Sequence, residues 1–173
     1  MLKIQGVKHF EKSRFFPFFS QNIRSFKYLA LIGLGSNIEP EKKRFDMLFR
    51  VMMDDKRFKI LSTSPMLINE AFGFKEQKDF TNAVMLIQTN LHARALLKVL
   101  LYYEVKFKRK RTFKNAPRTL DLDLLYFSQK VKRDKWCEVP HKGAKERVSV
   151  ILPLGMIYDI RNINGTTYTY FYC

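Results

Sequence analysis

Cysteine, glycine and acidic residues are all scarce in this chain, and each shortage removes a class of answer. Two cysteines, Cys137 and Cys173, with no Cys-x-x-Cys pair and no Cys/His spacing of the zinc type, exclude a disulfide scaffold or a zinc ribbon and suit a reducing compartment. Long apolar runs are missing too. The longest, "YLALIGLG" at 28–35, falls far short of the roughly 20 residues of a membrane span. "FFPFF" at 15–19 is too short and wrongly flanked for a secretory core, so the expected compartment is the cytoplasm and no membrane partner is expected. The seven glycines build no phosphate loop of the GxxxxGK[ST] kind, and no HRD or DFG set of a protein kinase is present. "GLGSN" lacks the third glycine of a dinucleotide fingerprint, because Ile38 holds that place. Its expected job is to turn a strand into a helix.

The shortage of acid is the strongest of these signals. Sixteen Asp and Glu face 32 Lys and Arg, a formal charge of +16. Such a surplus points to a polyanionic partner: nucleic acid, an anionic membrane surface or a phosphate-rich small molecule. Charge alone does not choose among them.

A chain of 173 residues, 46% hydrophobic and 28% charged, can close one ordinary globular core. Residues 1–26 show no sustained period and mix bases with Phe15, Phe16, Phe18 and Phe19. They read as a basic, aromatic extension to a single domain over 27–173. Residues 28–35 are apolar on both faces, as in a central strand, with Gly33 and Gly35 marking its end. A helix is expected next, capped by Ser36 or Asn37, with Pro40 in its first turn and Phe45, Leu48, Phe49 and Met52 forming one stripe. Strands follow at 58–68, interrupted at Pro65, and at 79–89; then come a helix over about 92–107 and a strand at 119–127. A short helix broken or kinked near Pro153 is expected within 147–160, and an edge strand at 164–172. The order strand, helix, strand, strand, helix, strand indicates an α+β, ferredoxin-like (split βαβ) antiparallel sheet with helices packed on one face.

Inside the 119–127 strand lies "TLDLDLLYF". Residues i and i+2 of a strand share a face, so Asp121 and Asp123 project together while Leu120, Leu122 and Leu124 point to the core. Two carboxylates about 7 Å apart repel one another unless a cation stands with them. Magnesium fits, since it takes one or two carboxylates and fills its remaining positions with water and substrate phosphate. The competing reading is a solvated strand face, or a pair neutralised by Arg118 and nearby lysines. Six bases at 106–114 and Pro117-Arg118 just before the strand favour metal-bound polyphosphate.

"PRTLDLDLLYF", taken with "LIGLGSN" at 31–37, "DFTNAV" at 79–84 and "VPH" at 139–141, resembles the 6-hydroxymethyl-7,8-dihydropterin pyrophosphokinases of folate biosynthesis, in order, from about residue 28 to 160. The resemblance implies a ferredoxin-like transferase that moves pyrophosphate from ATP to the pterin hydroxymethyl oxygen and releases AMP. It implies that Asp121 and Asp123 bind two Mg2+ ions. Arg118 would be catalytic and touch phosphate, with Arg109 and Arg111 matching loop arginines. Glu104, Arg111, Arg118, His141 and Arg147 would contact ATP, and Asn69, Glu70, Phe72, Phe80 and Asn82 the pterin. ATP and the hydroxymethyl pterin are the expected partners of a protein acting as a monomer.

The chain departs from the family pattern at Asn115, where tryptophan is usual, and at Ser149, where a second ring-stacking aromatic is expected. Phe72, Phe74 or Phe113 would have to substitute. Two other readings compete: a basic nucleic-acid-binding module on the same frame, and a family member that binds nucleotide without turnover. No strand carries an RNP1 pattern, and two strand aspartates would repel a phosphate backbone, so nucleic acid is the disfavoured partner.

Overall fold

The computed structural model describes residues 5–20, 26–71, 76–113, 115–128 and 131–157. In chain order they form β1 (Val7–Glu11), β2 (Phe18–Phe19), β3 (Tyr28–Ser36), α1 (Glu41–Asp54), β4 (Phe58–Thr63), β5 (Met66–Asn69), β6 (Phe80–Thr89), α2 (Ala93–Lys106), β7 (Asp121–Phe127), β8 (Lys132–Asp134), β9 (Cys137–Val139) and α3 (Val148–Gly155). The expected strand at 164–172 lies outside the described residues.

The main sheet runs β1-β5-β6-β3-β7, with β4 on β6 and β2 outside β4, and its pairings are antiparallel. β3 and β4 flank β6 with α1 crossing between them, and β6 and β7 flank β3 with α2 crossing between them. These are the two split βαβ halves of the expected α+β, ferredoxin-like fold. The interruption at Pro65 also holds: β4 and β5 pair with successive stretches of β6, and between them the Ser64 hydroxyl takes the Val84 N–H at 3.0 Å.

β3 is apolar on both faces because both are covered. Ala30, Ile32 and Leu34 pack under α1 and α2 with Phe45, Leu48, Phe49, Met52, Leu96 and Leu100. Leu31, Val84, Leu86 and Leu125 form a smaller core on the opposite face, closed by Ala144 and by Val150 of α3. The two crossover helices thus share one face as expected, and α3 adds a partial cover to the other. It runs on through Pro153 to Gly155 rather than breaking there.

The stretch read as an extension supplies β1 and β2. Phe16 has no solvent exposure and packs against the rings of Phe45 and Phe49, while Phe15 stacks on Phe49 at 4.4 Å.

Two local expectations are overturned. Neither Ser36 nor Asn37 caps α1, whose N-cap is Pro40 with no side-chain cap bond. The Ser36 hydroxyl donates instead to the Thr119 carbonyl at 2.6 Å, and the Asn37 side chain accepts the Arg118 N–H at 2.9 Å. Nor do Gly33 and Gly35 end the strand, because β3 continues through both to Ser36.

Candidate active site

The register of three central strands builds the site. Asp121 and Asp123 of β7 stand opposite Gly35 and Gly33 of β3, and those glycines face Asn82 and Val84 of β6. All lie on the face away from α1 and α2, as Leu122 and Leu124 point into the helix-covered core. Leu125 follows on the aspartates' side by alternation and joins the smaller core, and as the extra residue of a bulge opposite Leu31 and Ile32 it brings Tyr126 to that core as well. Gly35 leaves the middle of this row without a side chain and lets its neighbours close in: a Cβ there would lie 3.2 Å from Asn82 Oδ1 and 3.6 Å from Asp121 Cβ. Gly33 is covered by Leu125, whose Cδ1 would lie 3.2 Å from a Cβ there.

Each of the four carboxylate oxygens faces a basic side chain. Asp121 meets Arg109 through Oδ1 and Arg118 through Oδ2, the latter at 3.0 Å. Asp123 meets Arg147 at 3.3 Å through Oδ2 and His141 Nε2 at 3.9 Å through Oδ1. Burial, and then the Asp121 charge, push the Asp123 carboxyl above the usual range, while His141, Arg147 and Arg118 pull the other way. Further positive charge beside Asp123 therefore favours its ionised form.

His141 is oriented from both ends. Its N–H donates to the Leu125 carbonyl at 2.8 Å, and its Nδ1 accepts the Gly143 N–H at 3.1 Å. With Nδ1 an acceptor, the neutral ring carries its proton on Nε2, toward Asp123. Gly143 also clears the way for Arg147: a Cβ there would stand 2.8 Å from its Cζ and 2.9 Å from its Cδ. Gly143→Ala is expected to push the guanidinium off Asp123, at a cost in thermal unfolding of no more than ~1 kcal/mol, the upper range of a part-exposed charge contact.

Glu104 lies at the inner edge, 3% exposed. It accepts the Leu122 N–H at 2.9 Å and binds both Arg109 and Arg111, the latter at 3.1 Å. Burial, foremost, raises its carboxyl, partly offset by the Leu122 amide and Arg109. The basic run after α2 is therefore not wholly a solvated helix end, because Arg109 folds back between Glu104 and Asp121.

Arg118 is fixed by the loop after β3. Its N–H goes to Asn37 Oδ1 and its carbonyl takes the Asn37 N–H at 3.2 Å, while the Asn37 amide nitrogen donates to Gln77 at 2.8 Å. Its guanidinium lies 5.0 Å above the Phe80 ring, and its buried Nε has no partner among the described residues. A buried donor of this kind, beside two carboxylates, suits a phosphate oxygen.

Across the bare glycine, Asn82 Nδ2 donates to Asn69 Oδ1 at 2.7 Å, and the Asn69 amide nitrogen donates to the Glu70 carbonyl at 2.8 Å. Phe80, Asn82 and Asn69 thus gather on one side, with Glu70 exposed at the end of β5. Phe72 and Phe74 lie outside the described residues, and Phe113 is 57% exposed. From sequence Gly35 reads only as a strand end and Asn37 as a helix cap, and Gly143 carries no signal. What the first two clear or join depends on strands distant in sequence.

The sequence is also similar to proteins of known activity. A family model described as 7,8-dihydro-6-hydroxymethylpterin-pyrophosphokinase (HPPK) matches residues 31–159. The chain is 36% identical over 146 residues to a 2-amino-4-hydroxy-6-hydroxymethyldihydropteridine pyrophosphokinase of Helicobacter pylori, covering 83% of this chain and 90% of that one. It is 30% identical over 135 residues to a protein of the same name from Pseudomonas aeruginosa, covering 78% and 83%. It is also 33% identical over 123 residues to the folic acid synthesis protein fol1 of Pneumocystis carinii, where the match takes 71% of this chain but 16% of that much longer protein.

Proposed function

We propose, on the premise that the chain belongs to the 7,8-dihydro-6-hydroxymethylpterin-pyrophosphokinase family, that Asp121 and Asp123 form the metal-binding half of its active site and Asn82 the centre of its pterin-binding half. The protein is a transferase of folate biosynthesis that passes pyrophosphate from ATP to hydroxymethyl dihydropterin. The observation that carries the residue assignment is the row Asn82–Gly35–Asp121 across three paired strands, with the middle position bare.

The donor set fits Mg2+. Two hard carboxylates share one strand face, and among the described residues no cluster of three or more His, Cys, Asp or Glu could hold a metal alone. The remaining ligands would then come from water and substrate phosphates, as this ion prefers. Two ions are proposed, held by Asp121 and Asp123 together. When bound, they would supply positive charge to phosphate oxygens and ease loss of the proton from the attacking pterin hydroxyl.

The chain's own groups do the rest by position. Arg118 offers its unpartnered Nε to phosphate and is held by Phe80 and Asn37. Arg147 and His141 face the same carboxylate and are proposed to turn to the triphosphate, with the Nε2 proton of His141 donated to a phosphate oxygen. Arg109 and Arg111, parked on Glu104, are proposed to cover the transferring group once nucleotide separates Arg109 from Asp121. Glu104 is read as the post that holds these arginines as much as a contact of ATP. Asn82 and Asn69 present amide donors and acceptors to the pterin edge, and Phe80 presents its ring, with Glu70 and Phe72 completing this side. Charge neutralisation and alignment suffice for such a transfer, with no covalent protein intermediate. AMP formation from ATP, Mg2+ and the hydroxymethyl pterin tests the reading. Formation that proceeds equally without pterin would overturn it.

A further inference from the structure

Residues 5–11 precede the stretch that carries the family likeness, yet they touch both ends of the segment proposed to read the pterin. β1 is the edge strand beside β5, with Val7 opposite Asn69. One residue earlier the Gly6 carbonyl accepts the Glu70 N–H at 2.8 Å. One residue later Lys8 reaches past the strand to Asp79 at 2.6 Å, and Asp79 immediately precedes Phe80. Gly6 and the first two residues of β1 thus hold the exit of β5 and the entry of β6, and these ends carry Asn69 and Phe80.

An edge strand steadies its neighbour only if it is itself rooted, and this one is. Glu11 pairs with Lys42 of α1 at 2.6 Å. Beyond it the Ser13 hydroxyl and the Phe15 N–H both donate to Asp46 of α1, at 2.7 and 3.2 Å, and Phe16 is sealed in the main core. Load on the Asn69 backbone therefore passes through β1 into α1. Gly6 has a φ of +79°, a left-handed conformation that a side chain would strain, so the carbonyl offered to Glu70 depends on glycine there.

We infer that β1 is a positioning element for the pterin half of the site, with Gly6 and Lys8 setting where Asn69, Glu70 and Phe80 stand. This inference rests on the function proposed above. Its residues touch no reacting atom; they act through Asn69 and Phe80, and so should alter pterin recognition more than nucleotide recognition, which Phe80 reaches only through Arg118.

Three full-length variants test it: Gly6→Val, Lys8→Glu, and the charge exchange Lys8→Glu/Asp79→Lys. The first two are expected to raise the KM for pterin about fivefold or more through misplacement of its contacts, with the KM for ATP and kcat within about twofold; thermal unfolding should be little moved by Lys8→Glu and lowered by the backbone strain of Gly6→Val. The exchange restores opposite charges and is expected to return the pterin KM to within about twofold of wild type. The inference is overturned if both single variants keep the wild-type pterin KM, if the KM values for ATP and pterin rise together, or if the exchange rescues nothing. A wild-type protein without pterin-dependent AMP formation would overturn the functional reading and this one with it; an active wild type with unaltered variants overturns this one alone.

Discussion

Asp121→Asn and Asp123→Asn are each expected to lower the rate of AMP formation by at least about a hundredfold, the scale of removing one preorganised electrostatic contact from a charge-stabilised transition state. Asparagine keeps the shape of the side chain and one carbonyl acceptor but removes the negative charge that draws a divalent cation. Burial and the Asp121 charge already raise the Asp123 carboxyl, so Asp121→Asn relieves a repulsion in the resting protein. Its folded state should survive while its catalysis does not. Circular dichroism and thermal unfolding, beside the AMP assay, separate the two. Wild-type rates in both variants would remove the metal role from these residues.

Phe16→Ala is the substitution with the largest expected effect on stability, about 3–5 kcal/mol, since it empties a ring-sized volume that Phe45 and Phe49 close around. Loss of that order approaches the whole stability of a typical domain. Phe113→Ala, at a ring 57% exposed, is expected to cost no more than about 0.5 kcal/mol. Denaturant unfolding of the two variants measures the contrast. Equal small losses would mean that residues 5–20 are not part of the core.

The central frame was legible because its pattern is local. Apolar residues on both faces of 28–35, a helical stripe from Phe45 to Met52 and two aspartates one residue apart each declare an element without help from elsewhere. The catalytic strand's facing followed from its alternation, and Leu120, Leu122 and Leu124 lie in the helix-covered core. What sequence left obscure depends on pairing between distant segments. Ser36 and Asn37 read as caps because their side chains suit that role, but partners at Arg118 and Thr119, over 80 residues on, take them instead. β1 has no clean alternation, since an edge strand is half solvated and its partner, β5, supplies much of its order. The β8–β9 hairpin is hidden for a similar reason, with Lys132, Arg133 and Asp134 all exposed.

The arginines show the same limit in the site. Their number near residues 106–118 is plain in the sequence, but their division of labour is not. Arg109 is inside, between Glu104 and Asp121; Arg111 is 67% exposed at the rim; Arg118 stands over the Phe80 ring. Only the return of the chain after α2, and the strand register that sets Phe80 near Arg118, decides which guanidinium neutralises which carboxylate.

Counting the ions tests the central claim most directly. Mn2+, standing in for Mg2+, is titrated into the protein with a non-hydrolysable ATP analogue and followed by electron paramagnetic resonance. Wild type is expected to take up two ions per chain, and an Asp121→Asn/Asp123→Asn double variant to lose them while remaining folded. A folded double variant that binds Mn2+ with the stoichiometry and affinity of wild type would contradict the account.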